Sequence, residues 1–144
     1  MQLSIDYPED ESSKIKFLSL ASGSSGNCYY LGYKDYGILI DAGIGIRTIK
    51  RTLKEFNIPM SSICGVFVTH DHADHIKAVG HLGEKLHIPI YTTQRIHEGI
   101  NRSYCMTEKL YTCVRYIEKQ QPIQFKDFRI EAFEVPHDGT DNVG

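Results

Sequence analysis

The sequence has no C-x-x-C pair, no apolar run near membrane-spanning length and little excess charge of either sign. Cys28, Cys64, Cys105 and Cys113 stand far apart, so free thiols in a reducing cytoplasm are expected rather than a disulfide framework. Cys28 and Cys64 fall in strand-like runs that suit core packing. A membrane helix needs about 20 apolar residues, and the lack of such a run argues against a membrane-embedded protein. Asp6, Glu9, Asp10 and Glu11 make the beginning polar and acidic, so no secretory leader is expected and residues 1–14 read as a loose leader. A formal net charge of −2 argues against a broad basic nucleic-acid surface while leaving room for a local basic groove.

What is present fits one soluble domain. The 144 residues are 41% hydrophobic and 24% charged, enough for a real core. Ile15–Leu20, Cys28–Tyr33 and Tyr36–Ile40 read as strands, with Lys34-Asp35 as a hairpin turn between the last two. Gly45–Asn57 reads as an amphipathic helix, with Ile46, Ile49, Leu53 and Phe56 on one face. Arg47, Lys50, Arg51 and Lys54 fill its other face, and a solvated surface is the commoner meaning of such a pattern. Ile63–Val68, a helix from about Asp74 through Leu82, and Ile88–Tyr91 form a βαβ pattern, so those two strands are expected to be parallel. His81, His87 and, on the following helix with Ile96 and Ile100, His97 are expected at or near the surface. Residues 101–117 admit a helical turn near Tyr104–Met106 and a strand at Val114–Tyr116. Gln124-Phe125 and Phe128–Val135 read as strands around a Lys126-Asp127 turn.

The densest chemistry is Thr69-His70-Asp71-His72-Ala73-Asp74-His75, at a strand-to-helix turn. His70 and His72 are two apart and point to one side of an extended segment. Asp74 and His75 follow where the chain turns into the helix, so they can address a second, neighbouring position. Imidazole and carboxylate donors suit zinc, with manganese or iron as possible occupants. Asp71 has the opposite parity and is expected to support the loop. His137 also follows a strand, and strand ends on one rim of a sheet converge, which makes it a candidate third nitrogen for His70 and His72. Asp41 ends a strand just before Gly43, where it either organises a site or caps a turn. The loop Ser22-Gly23-Ser24-Ser25-Gly26-Asn27 is a turn between strands, and its small residues also let backbone N–H groups approach an anion. It lacks the Gly-Lys-Ser/Thr ending of a Walker loop.

Asp41-Ala42-Gly43, then His70-Asp71-His72-Ala73-Asp74-His75, then His137 resembles the metallo-β-lactamase superfamily in motif order. Ser19–Asn27 and Pro136-His137-Asp138 resemble its bacterial YycJ/WalJ group, metal-dependent hydrolases linked to exonuclease or phosphodiesterase activity. The resemblance implies an α/β (α+β) architecture, an αββα sandwich of which residues 15–144 supply the first half. It implies that His70, His72 and His137 hold one Zn2+, that Asp74 and His75 hold a second, and that Asp41 and Asp71 steady the loop without binding the ion. Asp74 would also orient the attacking water, a metal-activated hydroxide, while Ser22, Gly23, Ser24, Ser25 and Asn27 contact a substrate. The expected substrate is a phosphodiester in nucleic acid. A small ester, thioester or lactam is the alternative, and a catalytically impaired metal-binding half-domain is a third reading. The family's bridging aspartate and late histidine are missing, so the chain is expected to be truncated, its second metal position incomplete, and a sheet face bare. Oligomerisation, or pairing with a C-terminal half, would cover that face.

Overall fold

In a computed structural model, the structure describes residues 14–135 and 143–144, together with the backbone of residues 2–5. Its centre is a six-stranded mixed sheet in the order β2-β3-β4-β5-β6-β7. These strands are β2 (Lys16–Ala21), β3 (Cys28–Tyr33), β4 (Tyr36–Ile40), β5 (Ile63–Phe67), β6 (Ile90–Thr92) and β7 (Val114–Tyr116). The first three pair antiparallel. The pairs from β4 to β7 are parallel, as the strand–helix–strand pattern requires.

One face of this sheet carries Tyr30, Leu39, Val66 and Val68. It packs against helix α1 (Ile46–Glu55) through Ile49 and Leu53, and against helix α3 (Gln94–Arg102) through Ile96 and Ile100. The other face carries Leu31, Tyr33, Ile38 and Phe67 and meets a second sheet in which β1 (Gln2–Ile5), β9 and β8 lie side by side in that order. That sheet contains β8 (Ile123–Phe125) and β9 (Phe128–Glu131). Phe67 is fully buried, stacked on Tyr91 at 4.7 Å and edge-on to Phe125 at 5.3 Å. Burying such a ring contributes about 1.5–3 kcal/mol. The expectation of a bare apolar face is therefore corrected at these residues, because the β8–β9 hairpin folds over them.

The β3–β4 and β8–β9 hairpins both turn through Lys-Asp, with Lys34 and Lys126 at positive φ. The two turns lock together. The Tyr36 hydroxyl donates to Asp127 at 2.8 Å and accepts from the Asp127 N–H at 3.0 Å.

Three departures from the sequence reading have local causes. Residues 2–5, placed in a loose leader, form β1 (Gln2–Ile5), because the open edge of β9 offers backbone partners in register, Gln2 opposite Glu131. The helix expected through Leu82 is interrupted. Helix α2 covers only Ala73–Ile76, and a π-helical turn follows at His81–Lys85. The Ala78 N–H, which would continue α2, donates to the Ala42 carbonyl instead, while the Asp74 carbonyl accepts from Asn27 N and the His75 carbonyl from Ala42 N. Tertiary partners thus take the groups that helix propagation needs. His97 is buried at 3% exposure rather than near the surface. Its Nε2 pairs with the Arg115 carbonyl at 2.8 Å, its ring meets Tyr116 edge-on, and burial lowers its pKa.

Candidate metal centre

Every sequence element singled out for chemistry within the described residues arrives at one rim of the six-stranded sheet. Asp41 leaves the end of β4 and His70 the end of β5, while the 22–27 loop links the end of β2 to the start of antiparallel β3. Asp41, His70 and His75 bring ligand atoms within 4.8 Å of one another.

Asp41 is the hub. It is 3% exposed and sits at φ +60, a left-handed conformation that aspartate tolerates better than most residues. Its Oδ1 accepts the Thr69 N–H at 2.8 Å, and its Oδ2 accepts the Thr69 hydroxyl at 2.6 Å. Oδ2 also lies 2.8 Å from His75 Nδ1. The Thr69 hydroxyl proton is committed to Asp41, so the 2.7 Å contact between Thr69 Oγ1 and His70 Nδ1 requires His70 to donate. A carboxylate opposite His75 Nδ1 likewise requires that nitrogen to carry its hydrogen. In the neutral form, both rings therefore carry the hydrogen on Nδ1 and the lone pair on Nε2. This is the form in which a neutral imidazole binds a metal. Asp41 has its oxygens engaged in three hydrogen bonds, to Thr69 N–H, Thr69 Oγ1 and His75 Nδ1.

The two rings lie 4.3 Å apart between centroids, close to stacked. His75 Nε2 lies 3.6 Å from Asp74 Oδ2. Two donors at about 2.1 Å from a tetrahedral ion stand about 3.4 Å apart, so this pair fits one metal. Burial disfavours the charged form of His75, but the Asp41 hydrogen bond and the charges of Asp41 and Asp74 outweigh it and raise its pKa. His72 stands on the open side, its ring 6.0 Å from that of His70 and its side chain 43% exposed. Asp71 turns toward α3, its Oδ2 occupying the space a Cβ on Gly99 would need, 2.0 Å away. His137 lies outside the described residues. Val143, a little later in the chain, donates its N–H to the Thr69 carbonyl at 3.1 Å.

The metal loop is also strapped from behind. Asn27 Nδ2 reaches both the Asp74 carbonyl and its Oδ2 at 3.3 Å, and braces Gly23 in its own loop. Gly43 lies so close to α2 that an added Cβ would sit 1.7 Å from the Asp74 carbonyl oxygen. The Asn27 side chain is thus spent on structure, while Ser22, Gly23, Ser24 and Ser25 remain exposed beside the centre. Asn27 and Gly43 as clamps on Asp74 escaped the sequence reading. The signal available for them was only that both sit in small-residue loops at the same rim.

A mixed sheet backed by helices on one side and by a second sheet on the other, with His and Asp side chains gathered at a strand end, is the metallo-β-lactamase type of fold. The chain belongs to this superfamily: residues 36–144 match the family described as the beta-lactamase superfamily domain. Among curated proteins it is 30% identical to "Exodeoxyribonuclease YycJ" of Bacillus anthracis, over 88% of this chain and 47% of that protein. It is 32% identical to "Exodeoxyribonuclease WalJ" of Streptococcus pneumoniae, over the same shares. It is 29% identical to "Ribonuclease J" of Mycoplasma genitalium, over 82% of this chain and 22% of that one. The chain spans about half the length of the exodeoxyribonucleases it matches. Among solved structures, a B3 metallo-β-lactamase with an active-site glutamic acid superposes with a TM-score of 0.73 at 14% identity, over 88% of this chain and 52% of that one. That likeness establishes the fold. Among the described residues, no helix is long and apolar enough to cross a membrane.

Proposed function

We propose that the chain carries the metal-binding part of a hydrolase that cleaves phosphodiester bonds in nucleic acid. One observation carries the reading: Thr69 and Asp41 hold Nδ1 of His70 and of His75, and the ligand atoms of these two rings gather at one rim. His70 and His72, with His137, would hold one ion; Asp74 and His75 would hold a second. The donor set suits Zn2+, and Mn2+ or Fe2+ fit the same atoms. When bound, such ions lower the pKa of water and take up charge on phosphoryl and leaving oxygens. The protein's own part is positional. Asp41 orients the His75 ring directly and the His70 ring through Thr69, and Asn27 holds the Asp74 carboxylate, from which an attacking water would be oriented. The exposed residues Ser22, Ser24 and Ser25 beside the centre would contact a phosphate oxygen of the substrate. Nucleic acid is favoured over a small ester, thioester or lactam because the curated relatives are named as nucleases. The four cysteines are free thiols, which fits a cytoplasmic setting.

A second reading has one observation in its favour. The relatives are about twice as long as the matched region, so these residues can hold metal without turning over a substrate alone. Elemental analysis of chelator-free protein, with assays on bis-p-nitrophenyl phosphate and single-stranded DNA, decides between them. Two metal equivalents with phosphodiester turnover support the hydrolase; one or none, without turnover, supports the metal-binding module.

A further inference from the structure

Helix α1 carries its cations on a single face. Arg47, Lys50, Arg51 and Lys54 stand at i, i+3, i+4 and i+7, and all four are exposed. Ile49 and Leu53, both at 0% exposure, pin the opposite face into the core, so the basic stripe is forced outward. None of the four makes an ion pair or a side-chain hydrogen bond among the described residues. The helix has no acidic residue in its first turn. Four positive charges over about 10 Å of helix, against the single acid Glu55 at its end, stand out on a chain whose net charge is −2.

The stripe also has a direction. Its N-terminal end starts at Gly45, just after the Ala42-Gly43 segment that straps the metal loop. There a cavity of about 290 Å³ is lined by Gly45, Ile46 and the exposed Lys77 of the α2 segment. At its other end a second cavity, of about 450 Å³, has Lys50 and Lys54 at its side and Ile58, Pro59 and Met60 along its wall. Cations beside an apolar recess suit a strand whose bases are unpaired, with phosphates on the lysines and a base in the recess. A duplex keeps its bases stacked inside and has no use for such a recess.

We propose that the α1 stripe Arg47-Lys50-Arg51-Lys54, continued by Lys77, is a docking track for the phosphate backbone of single-stranded nucleic acid, leading to the metal loop. The substrate class rests on the phosphodiesterase reading; the track itself rests on the charge pattern and the two cavities.

The test is the zinc-loaded chain and its R47Q/K50Q/R51Q/K54Q variant, titrated with a fluorescent single-stranded oligonucleotide at several salt concentrations. A second variant with the same charge change elsewhere, K16Q/K34Q/K126Q/R129Q, alters four exposed residues outside α1. Circular dichroism and zinc content confirm that each variant is folded and loaded. Every phosphate that the protein ceases to neutralise reduces the slope of log K against log salt by about 0.7. The stripe variant is expected to lose about two to three units of slope and at least tenfold in affinity, with the other variant keeping the wild-type slope. Equal losses in both variants, no loss in the stripe variant, or equal preference for duplex would overturn the track. Bis-p-nitrophenyl phosphate turnover separates the two claims. Wild-type turnover with a stripe variant whose oligonucleotide binding is unchanged leaves the hydrolase standing and removes the track. Stripe-dependent binding without any phosphodiester turnover does the reverse.

Discussion

Asp41→Asn is the sharpest perturbation of the centre. Asparagine has the same shape and accepts the left-handed φ of +60 found at this position, so the backbone is left alone. What changes is the carboxylate. One amide oxygen still accepts the Thr69 N–H, but the NH2 group now faces the Thr69 hydroxyl and His75 Nδ1, both of which donate to Asp41 in the native protein. Two charge-assisted hydrogen bonds disappear, each worth about 1.5–3 kcal/mol, and the hydroxyl can recover part of the loss by rotating. The net cost is about 2–4 kcal/mol. With a urea slope of about 2 kcal/mol/M, the unfolding midpoint of the metal-free protein falls by about 1–2 M. His75 is also released from its tautomer, and loss of such an orienting partner typically weakens metal binding 10–100-fold, about 1.4–2.8 kcal/mol. Urea unfolding followed by circular dichroism gives the first quantity, and zinc competition against a chromophoric chelator gives the second. If Asp41→Asn leaves both the midpoint and the zinc affinity at wild-type values, the account of Asp41 as holder of both rings is wrong.

Gly43→Ala should push α2 away from the strap, because the new methyl would occupy the position of the Asp74 carbonyl oxygen. Overpacking of this kind costs about 1–3 kcal/mol, and a lower melting temperature together with reduced zinc stoichiometry would be the signature; normal loading would count against the clamp. Glu84 accepts from the N–H groups of Tyr111, Thr112 and Cys113 and from the Thr112 hydroxyl. Hydrogen bonding from Cys113, then from its other partners, holds its pKa down at about 2 against an ordinary 4.5. A depressed folded-state pKa stabilises above the unfolded value, so this contribution is complete above about pH 4.5 and disappears as pH falls toward 2. Urea midpoints of wild type and Glu84→Gln should converge over that window, and a constant gap would refute the assignment.

The local parts of the fold were readable in the chain because local rules govern them. Cys28–Tyr33 and Tyr36–Ile40 emerge as β3 and β4 because their apolar runs are separated by a two-residue Lys-Asp turn. The H-x-H-x-D-H residues fall at a strand end because the apolar run before them forms β5. What could not be read depends on partners distant in sequence. The break in α2 follows from hydrogen bonds to Asn27 and Ala42, which no periodicity within residues 73–85 encodes. Gly43 looked like a residue chosen for backbone freedom, yet its φ is not positive; it is required because α2 passes too close for any side chain. The burial of His97 depends on β7 and the Arg115 carbonyl, in a stretch whose secondary structure the sequence left open. Thr69 carried no signal of its own, although its hydroxyl joins Asp41 to His70.

The central claim is that His70 and His75 offer Nε2, and not Nδ1, to a metal. A crystal of the zinc-loaded chain, measured across the zinc absorption edge, answers this in one map. Anomalous peaks about 2.1 Å from Nε2 of each ring are the result this account requires. A peak bonded to Nδ1 of either residue, with Asp41 displaced from His75, would contradict it.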